Sequence, residues 1–406
     1  MNSSVTAIGL LAAIVTTPAG ALTLAEAEAL ALARDPAIAA EDARSGALSA
    51  AAEAAAYWPD PKLRFGAIAF PVDSFDRDQE PMTQLQLGVM QSFPRGNSLA
   101  HEQERLAAEA AAVGERSRGV ANDRRRAVRL DWIDGVLARR VLELLERNRE
   151  NLEVLVGLAE DDYATGRARQ QDFFEATLEL SRIEERIVAV EQAAAEATAR
   201  LATWIGATAN AVDNRAWPEL ATGNIELAGH PSVAVLDRAI AAAEARVGFA
   251  EEQYRPAFAV EVAYGDRTGQ GPDGSARSDL VFGMVTMDVP LFGRKREDRK
   301  LAAAKLDAEG LRHDRSDQLR RLDAREREAR AGLARIEARI ALYEDRLLPA
   351  ASDSRIAALE AFTASVSDLS DLLRAQVTEI ELAAEAEQLH AERSRIAAEL
   401  RWLGGY

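Results

Sequence analysis

The chain has 406 residues, no cysteine and a formal net charge of -17; 48% of its residues are hydrophobic and 28% charged. The length exceeds one small core, the acidic balance weighs against a nucleic acid as partner, and the missing thiols exclude disulfides, thiolate metal sites and lipid attachment through cysteine. Alanine, leucine, glutamate and arginine dominate, a mixture that favours long helices.

Residues 1–21 read as a secretory signal. An uncharged apolar run from Ala7 to Val15 is followed by Thr16-Thr17-Pro18 and the small residues Ala19-Gly20-Ala21, with cleavage expected before Leu22. Met1 to Ser4 lacks the usual basic residue. The run is too short for an anchor, which needs roughly 20 apolar residues, and no later segment is long and apolar enough. A membrane crossing by this chain would have to use strands.

Leu24 to Arg34 predicts a short helix stopped at Asp35-Pro36, and Ala37 to Tyr57 a second stopped near Pro59-Asp60-Pro61. The period then changes. Strands are expected at 62–70 and 83–93: Leu63, Phe65, Ala67 and Ala69 share one side, and Leu85, Leu87 and Val89 alternate with Gln84 and Gln86. Pro71 to Met82 is a polar, acidic loop between them. The arrangement recurs at 257–265 and 279–289 around a loop from Asp266 to Ser278, with Phe258, Val260, Val262 and Tyr264 alternating with Glu261.

Strands of roughly 9–11 residues suit a tilted crossing of an outer membrane. Half of the chain's Phe, Tyr and Trp residues fall in 57–93 and 254–292, with Tyr57, Trp58, Phe93, Tyr254 and Phe292 at strand ends, where interfacial girdles sit. Two soluble β-hairpins with an aromatic core fit the same pattern. Four strands cannot close a barrel in lipid, so the membrane reading requires several chains.

Between Pro94 and Pro218 there is no proline. From Arg95 onward, Leu130, Ile133, Leu137, Val141, Leu144, Leu152, Leu155 and Ala159 form one apolar stripe, interrupted by Asn148. The step lies near 3.6, so nearly straight helices or a weak right-handed supercoil are expected. A helix from Arg95 to Asp161 would be roughly 100 Å long and must pack lengthwise on partners. Helices are expected over 96–204, with a turn from Tyr163 to Asp172, and over 294–403. In the latter, Ala329, Leu333, Ile336, Ile340, Tyr343 and Leu347 are the buried stripe, Pro349 marks a break or kink, and Phe362 to Asp371 is the turn. Residues 207–229 form an irregular connector.

The units recur in order. Pro36 and Pro231 are 195 residues apart, as are Pro61 and Pro256; Pro94 and Pro290 are 196 apart, Asp172 and Asp371 as well as Ala176 and Ala375 are 199 apart, and Trp204-Ile205-Gly206 answers Trp402-Leu403-Gly404 at 198. This predicts an internal duplication, with repeats over 22–206 and 230–406.

These residues resemble the TolC family of outer-membrane efflux proteins over nearly the whole mature chain. Leu22-Thr23-Leu24, Glu28, Ala29 and Asp35-Pro36 look like its N-terminal signature. Gln91-Ser92-Phe93-Pro94 with Gly96, and Val289-Pro290-Leu291-Phe292-Gly293, are similar to its two strand-to-helix junctions. Tyr163, Gly166, Phe173, Phe174 and Ala176 fit its turn pattern, and Phe362, Leu372, Leu373 and Ala375 fit it again with Ser365 in place of glycine. The resemblance implies a mainly α fold with a membrane β-barrel portion. In it a homotrimer closes a twelve-strand barrel in outer-membrane lipid, and long helical hairpins form a periplasmic α-barrel. Tyr163, Gly166, Asp172, Phe362 and Ser365 would be tips docking a periplasmic adaptor and an inner-membrane pump of RND or ABC type. Asp368, Asp371 and Arg374 would stand at the periplasmic gate, where three Asp371 carboxylates would favour cations. For Asp371 and Asp368 the alternative is a solvated or N-capping aspartate.

No catalytic, cofactor or metal site is expected. Gly269-Gln270-Gly271-Pro272-Asp273-Gly274 fits a dinucleotide fingerprint only in letters, because it joins two strands and no helix follows. His101, His230, His313 and His390 have no partner at ligand spacing, and His101 and His313 read as exposed helix positions. Glu160-Asp161-Asp162 reads as a solvated acidic run, or else an adaptor contact. Arg124-Arg125-Arg126 and the arginines from Arg312 to Arg330 read as inter-helix pairs on a wet surface. The expected function is the passive exit duct of a tripartite efflux or type I secretion system. A periplasmic adaptor and a structural coiled-coil protein of the envelope are the rivals.

Overall fold

The structure, a computed structural model, describes residues 22–167, 169–212, 215–292 and 295–405. The expected signal, 1–21, lies outside the described residues, as do Gly293 and Arg294 of the second junction. The helices are α1 (Leu24–Ala33), α2 (Pro36–Ala55), α3 (Ser98–Ala164), α4 (Gln170–Ile205), α5 (Pro231–Glu252), α6 (Glu297–Leu342), α7 (Leu348–Thr363) and α8 (Leu369–Leu403). The strands are β1 (Lys62–Ile68), β2 (Gln84–Phe93), β3 (Ala257–Asp266) and β4 (Leu280–Asp288). Two compact units result, and each draws on both halves of the sequence. One contains residues up to Asp35, Arg124–Thr222 and Ala329–Glu399; the other contains Pro36–Asp123, Gly223–Glu328 and Leu400–Tyr406.

In the first unit the core is the stripe of α3 and what covers it. Val141, Leu145, Leu152, Leu155 and Ala159 pack with Ala176, Ile183 and Ile187 of α4 and with Leu369, Leu372, Leu373 and Ile380 of α8. The fully buried residue is Leu145 rather than the expected Leu144, which is half-buried. A second stripe was not expected. Val128, Trp132 and Val136 pack with Ala27 and Ala31 of α1 and with Leu201 and Ile205 of α4, while Ile133 meets Ala391 and Ala398 of α8. A periodicity reading assumes one partner face, and α3 has helices on two sides. The polar interruption is satisfied: the Asn148 side-chain carbonyl accepts from the buried Gln376 amide at 2.7 Å, and its amide donates to the Leu144 carbonyl at 2.8 Å.

Two polar devices start and tie α1. The Thr23 N–H donates to the Glu26 carboxylate (2.9 Å) and the Glu26 N–H to the Thr23 hydroxyl (3.4 Å), a reciprocal cap. Arg129, only 2% exposed, grips both oxygens of Glu28 at 2.7 and 3.2 Å. The arginine runs do pair with acids, Arg126 with Glu399 at 2.6 Å and Arg312 with Glu244 at 2.7 Å, although Arg320 and Arg321 find Asp317 on their own helix. Where a break or kink is expected at Pro349, the helix carries a π turn over Tyr343–Leu347, in which the Leu348 N–H bonds the Tyr343 carbonyl. Proline cannot donate and its ring crowds the carbonyl four residues back; one extra residue in the preceding turn lets the helix run on.

The second unit holds one antiparallel sheet in the order β1-β2-β3-β4. Its central pairing joins the two halves of the sequence, Phe93 opposite Phe258 and Leu85 opposite Asp266. β1 stops at Ile68 rather than residue 70, because Ala69 adopts φ +55 and turns the chain away. His101, expected to be exposed, is half-buried against Gly248 of α5, where an added Cβ would come within 2.7 Å of the ring.

His230 is 3% exposed and caps α5, its Nδ1 accepting from the Ser232 N–H at 3.2 Å. The Trp402 ring lies edge-on at 4.8 Å, and the Trp402 indole donates to Asp123 at 2.7 Å. Burial holds the imidazole below its ordinary pKa; Asp123 opposes the shift and Arg325 adds to it. Protonation would also remove the cap acceptor and set a cation at a helix N-terminus. Because the folded-state pKa is depressed, the stability this residue contributes is complete above the ordinary imidazole value and is lost as pH falls through it toward the folded value. Melting curves of detergent-solubilised protein between about pH 7.5 and pH 5.5 should show wild type losing stability relative to His230→Asn, which keeps a capping acceptor without titrating. Parallel curves would contradict this role.

Candidate functional site

The sheet carries one apolar and one mixed face, and the register shows why. Phe65, Leu87, Tyr264 and Val281 stand directly opposite one another across the four strands, as do Leu63, Val89, Val262 and Gly283 in the next row. Opposite residues point to the same side, so alternation within each strand becomes a continuous apolar surface. It is not covered within the chain: Phe65 is 78% exposed, Val281 75% and Val285 68%. A patch of this kind marks a membrane or partner surface rather than a water-facing one. At the helix side of the strands Trp58 meets Phe93 edge-on at 5.1 Å, and Tyr57, Trp58 and Phe292 are exposed.

At the other end the two strand-connecting loops are laced by arginines. Arg77 pairs with Asp266, and the Arg277 guanidinium donates to the carbonyls of Asp78 and Glu80 at 3.4 and 3.2 Å. Arg267 donates to the Ser278 carbonyl at 2.7 Å. Gly269 to Gly274 lies in this loop as a small hairpin, with the Gly271 N–H on the Ser275 carbonyl at 2.7 Å and Gln270 bridging Ala276. No helix N-terminus follows to receive a phosphate.

In the first unit the two helix turns share one hydrogen-bond scheme. The Arg167 N–H reaches the Asp162 carbonyl (2.8 Å) and the Gly166 N–H that of Tyr163 (3.0 Å); the Val366 N–H reaches Ala361 (2.8 Å) and the Ser365 N–H reaches Phe362 (3.0 Å). This is the paired-bond C-terminal cap that needs a left-handed residue. Gly166 supplies it at φ +73, and Ser365 adopts it at φ +57 despite its Cβ. Of the other expected tip residues, Tyr163 is 44% exposed and Phe362 packs against the main core. Asp172 is buried, its carboxylate accepting from the Arg169 N–H at 3.1 Å to cap α4.

The charges at the turns are paired. Asp371 lies 3.1 Å from Arg374, both exposed. Arg169 sits between Asp172 (3.1 Å) and Asp368 (3.4 Å), so one guanidinium links the two turns. The Asp172 hydrogen bond, then the charges of Asp172 and Asp368, raise its pKa further above the arginine range. The Ser370 hydroxyl adds a second link, donating to Glu175 at 2.8 Å. Arg169 was missed in the sequence, although it and Asp368 are the residues just before α4 and α8, 199 apart. Among the described residues no group of three or more His, Asp or Glu side chains is placed to hold a metal, and no helix is long and apolar enough to cross a membrane.

Compared by sequence, the chain matches no protein-family model and no curated protein. Solved structures do match. The outer-membrane channel OprN is 19% identical, with 94% of this chain and 90% of that chain aligned at a TM-score of 0.78. VceC, an outer membrane protein of Vibrio cholerae, is 15% identical over 94% of this chain and 96% of its own, with a TM-score of 0.76. The open-state outer membrane channel MtrE of Neisseria gonorrhoeae is 14% identical over 94% and 88%, with a TM-score of 0.70. The chain thus has the fold of the TolC-family outer-membrane channels, mainly helical with a four-strand antiparallel sheet.

The shared cap yields a paired prediction. A left-handed residue with a Cβ costs about 1 kcal/mol over glycine, and an added Cβ at Gly166 meets nothing within 4 Å, so conformation alone decides there. Gly166→Ala should speed proteolytic nicking at the first turn by about fivefold, and Ser365→Gly should slow it at the second by a similar factor. Equal rates in both variants and wild type would refute the cap.

Proposed function

We propose that this chain is the outer-membrane exit duct of a tripartite efflux or type I secretion system, conducting solutes passively and forming no bonds. The observation that carries the reading is the exposed apolar face of a sheet with two open edges. In lipid the edge groups of β1 and β4 must be paired, and three copies, each adding four strands, close a twelve-strand barrel with β4 of one beside β1 of the next. The helices then continue the duct through the periplasm. The recurring order of units and the common scheme of the two turns support an internal duplication.

The turns are the surface for a periplasmic adaptor and, through it, an inner-membrane pump of RND or ABC type. Tyr163, Gly166 and Ser365 are accessible there; Phe362 and the buried Asp172 shape the tips from within. Asp368, Asp371 and Arg374 stand at the inner aperture. With Arg374 offsetting Asp371 and Arg169 offsetting Asp368, that aperture is less acidic than its carboxylates alone suggest. An adaptor or a soluble coiled-coil protein would have no use for such a sheet face.

Fractionation tests the reading. The full-length chain should be found in the outer membrane, processed near Leu22, and in mild detergent should have three times the mass of the processed chain. A soluble periplasmic monomer would end the channel reading. In planar bilayers Arg169→Glu, which sets a third acid beside Asp172 and Asp368, should raise conductance by about twofold or more; unchanged conductance would remove the link from the gate.

A further inference from the structure

The second face of the sheet is the one a duct would turn inward, and it is nearly free of charge. Successive rows across the four strands read Gly66, Gln86, Gly265, Leu280, then Arg64, Gly88, Ala263, Phe282, then Lys62, Met90, Glu261, Met284. Lys62, Asp266 and Asp288 are terminal residues of their strands. Arg64 and Glu261 are the ionisable residues inside the strands.

They meet across β2. The Arg64 guanidinium lies 2.6 Å from the Glu261 carboxylate, with side chains 60% and 12% exposed. The residue opposite Arg64 is Gly88, and a Cβ there would come 3.0 Å from the Ala263 Cβ and 3.4 Å from a Glu261 oxygen. The pair therefore bridges over bare backbone, and glycine is what leaves it room. Glu261 is pressed close to the wall, while Arg64 reaches over it.

We propose that Arg64 and Glu261 set the charge preference of the strand-walled part of the duct, a proposal that rests on the channel reading above. Ionisable groups at membrane depth are costly unless paired and mark the path of solutes, and rings of like charge on a pore wall select ions. Here each copy contributes one charge of each sign from adjoining rows, Arg64 opposite Gly88 and Glu261 opposite Met90. The two cancel, so this stretch admits solutes of either charge. Of their neighbours on this face Gly88, Ala263, Met90 and Met284 add none, and Lys62, at the strand end in the row of Glu261, adds one positive charge. Loss of Arg64 would leave three Glu261 carboxylates without their ion-pair partner, and loss of Glu261 would leave three Arg64 guanidiniums beside Lys62 with no acid inside the strands to offset them.

Planar-bilayer recordings of the purified full-length protein under a KCl gradient at low ionic strength test this. Arg64→Ala should raise the potassium-to-chloride permeability ratio by about twofold or more, and Glu261→Ala should lower it by a similar factor. The reversed pair, Arg64→Glu with Glu261→Arg, should stay near wild type. Detergent-particle mass checks assembly of each variant; where an alanine variant fails to assemble, Arg64→Gln or Glu261→Gln gives the same readout with side-chain length kept. Conducting variants whose ratio equals that of wild type, or that both shift in one direction, overturn the proposal and leave the channel reading standing. A wild-type protein that never conducts overturns both.

Discussion

A sheet of four strands has two strands with an unpaired row of N–H and C=O groups, and here those edges belong to a sheet with one exposed face made mostly of leucine, valine and aromatic residues. In water the face is unfavourable at about 25 cal/mol for each Å² left uncovered. In hydrocarbon the face is at ease, but each unpaired backbone group costs several kcal/mol. The channel reading proposed above meets both conditions, with the apolar face to lipid and the edges closed by strands of further copies. On that reading the other elements, including the helices that follow Pro94 and Pro290, have to be compatible with closure.

The helices are held by lateral packing rather than by propensity. Isolated helices gain little from their own hydrogen bonds, whereas each buried leucine of the α3 seam contributes about 1.5–3 kcal/mol. Because α3 is buried on two sides, with Trp132 and Val136 toward α1 and α4 and Ile133 toward α8, it organises the first unit. Polar groups inside the seam are matched, Asn148 with Gln376 and Arg129 with Glu28. Such pairs fix the sliding register of neighbouring helices, which an apolar stripe alone leaves degenerate.

The turns combine a strained residue with offset charge. Ser365 holds a backbone conformation that glycine holds more cheaply, and Arg169 meets carboxylates from both turns. The exposed Arg169–Asp368 pair is weak, whereas Asp172 is buried beneath the same guanidinium; on the proposed gate reading, a link this weak suits an aperture that opens and closes. The paired charge on the sheet's inner face is different in kind, since Glu261 is nearly enclosed and its partner is what keeps it compensated.

Element type and order were legible in the sequence because they depend on local periodicity: a step near 3.6 for α3 and α6, alternation for the strands, proline at the junctions. The resemblance resting on those junctions and turns agrees with the fold found. Contacts that depend on two distant segments were not legible. Leu145 rather than Leu144 is buried because of where α4 and α8 lie, and Arg169 meets Asp368 only because the two turns are brought together. The break or kink expected at Pro349 is a π turn just before it, where Tyr343, Leu347 and Leu348 stay packed with Ala386 and Leu389. Arg64 and Glu261 became neighbours only when β1, β2 and β3 paired in one register around Gly88. The amino-acid sequence by itself determined the type and order of the elements and the main apolar stripe or face of each, while the second stripe of α3 and the end of β1 at Ile68 appeared only in the fold. The tertiary structure decided which charges meet between elements, such as Arg64 with Glu261 and Arg129 with Glu28, because those partners are brought together from far apart and no local period encodes that distance.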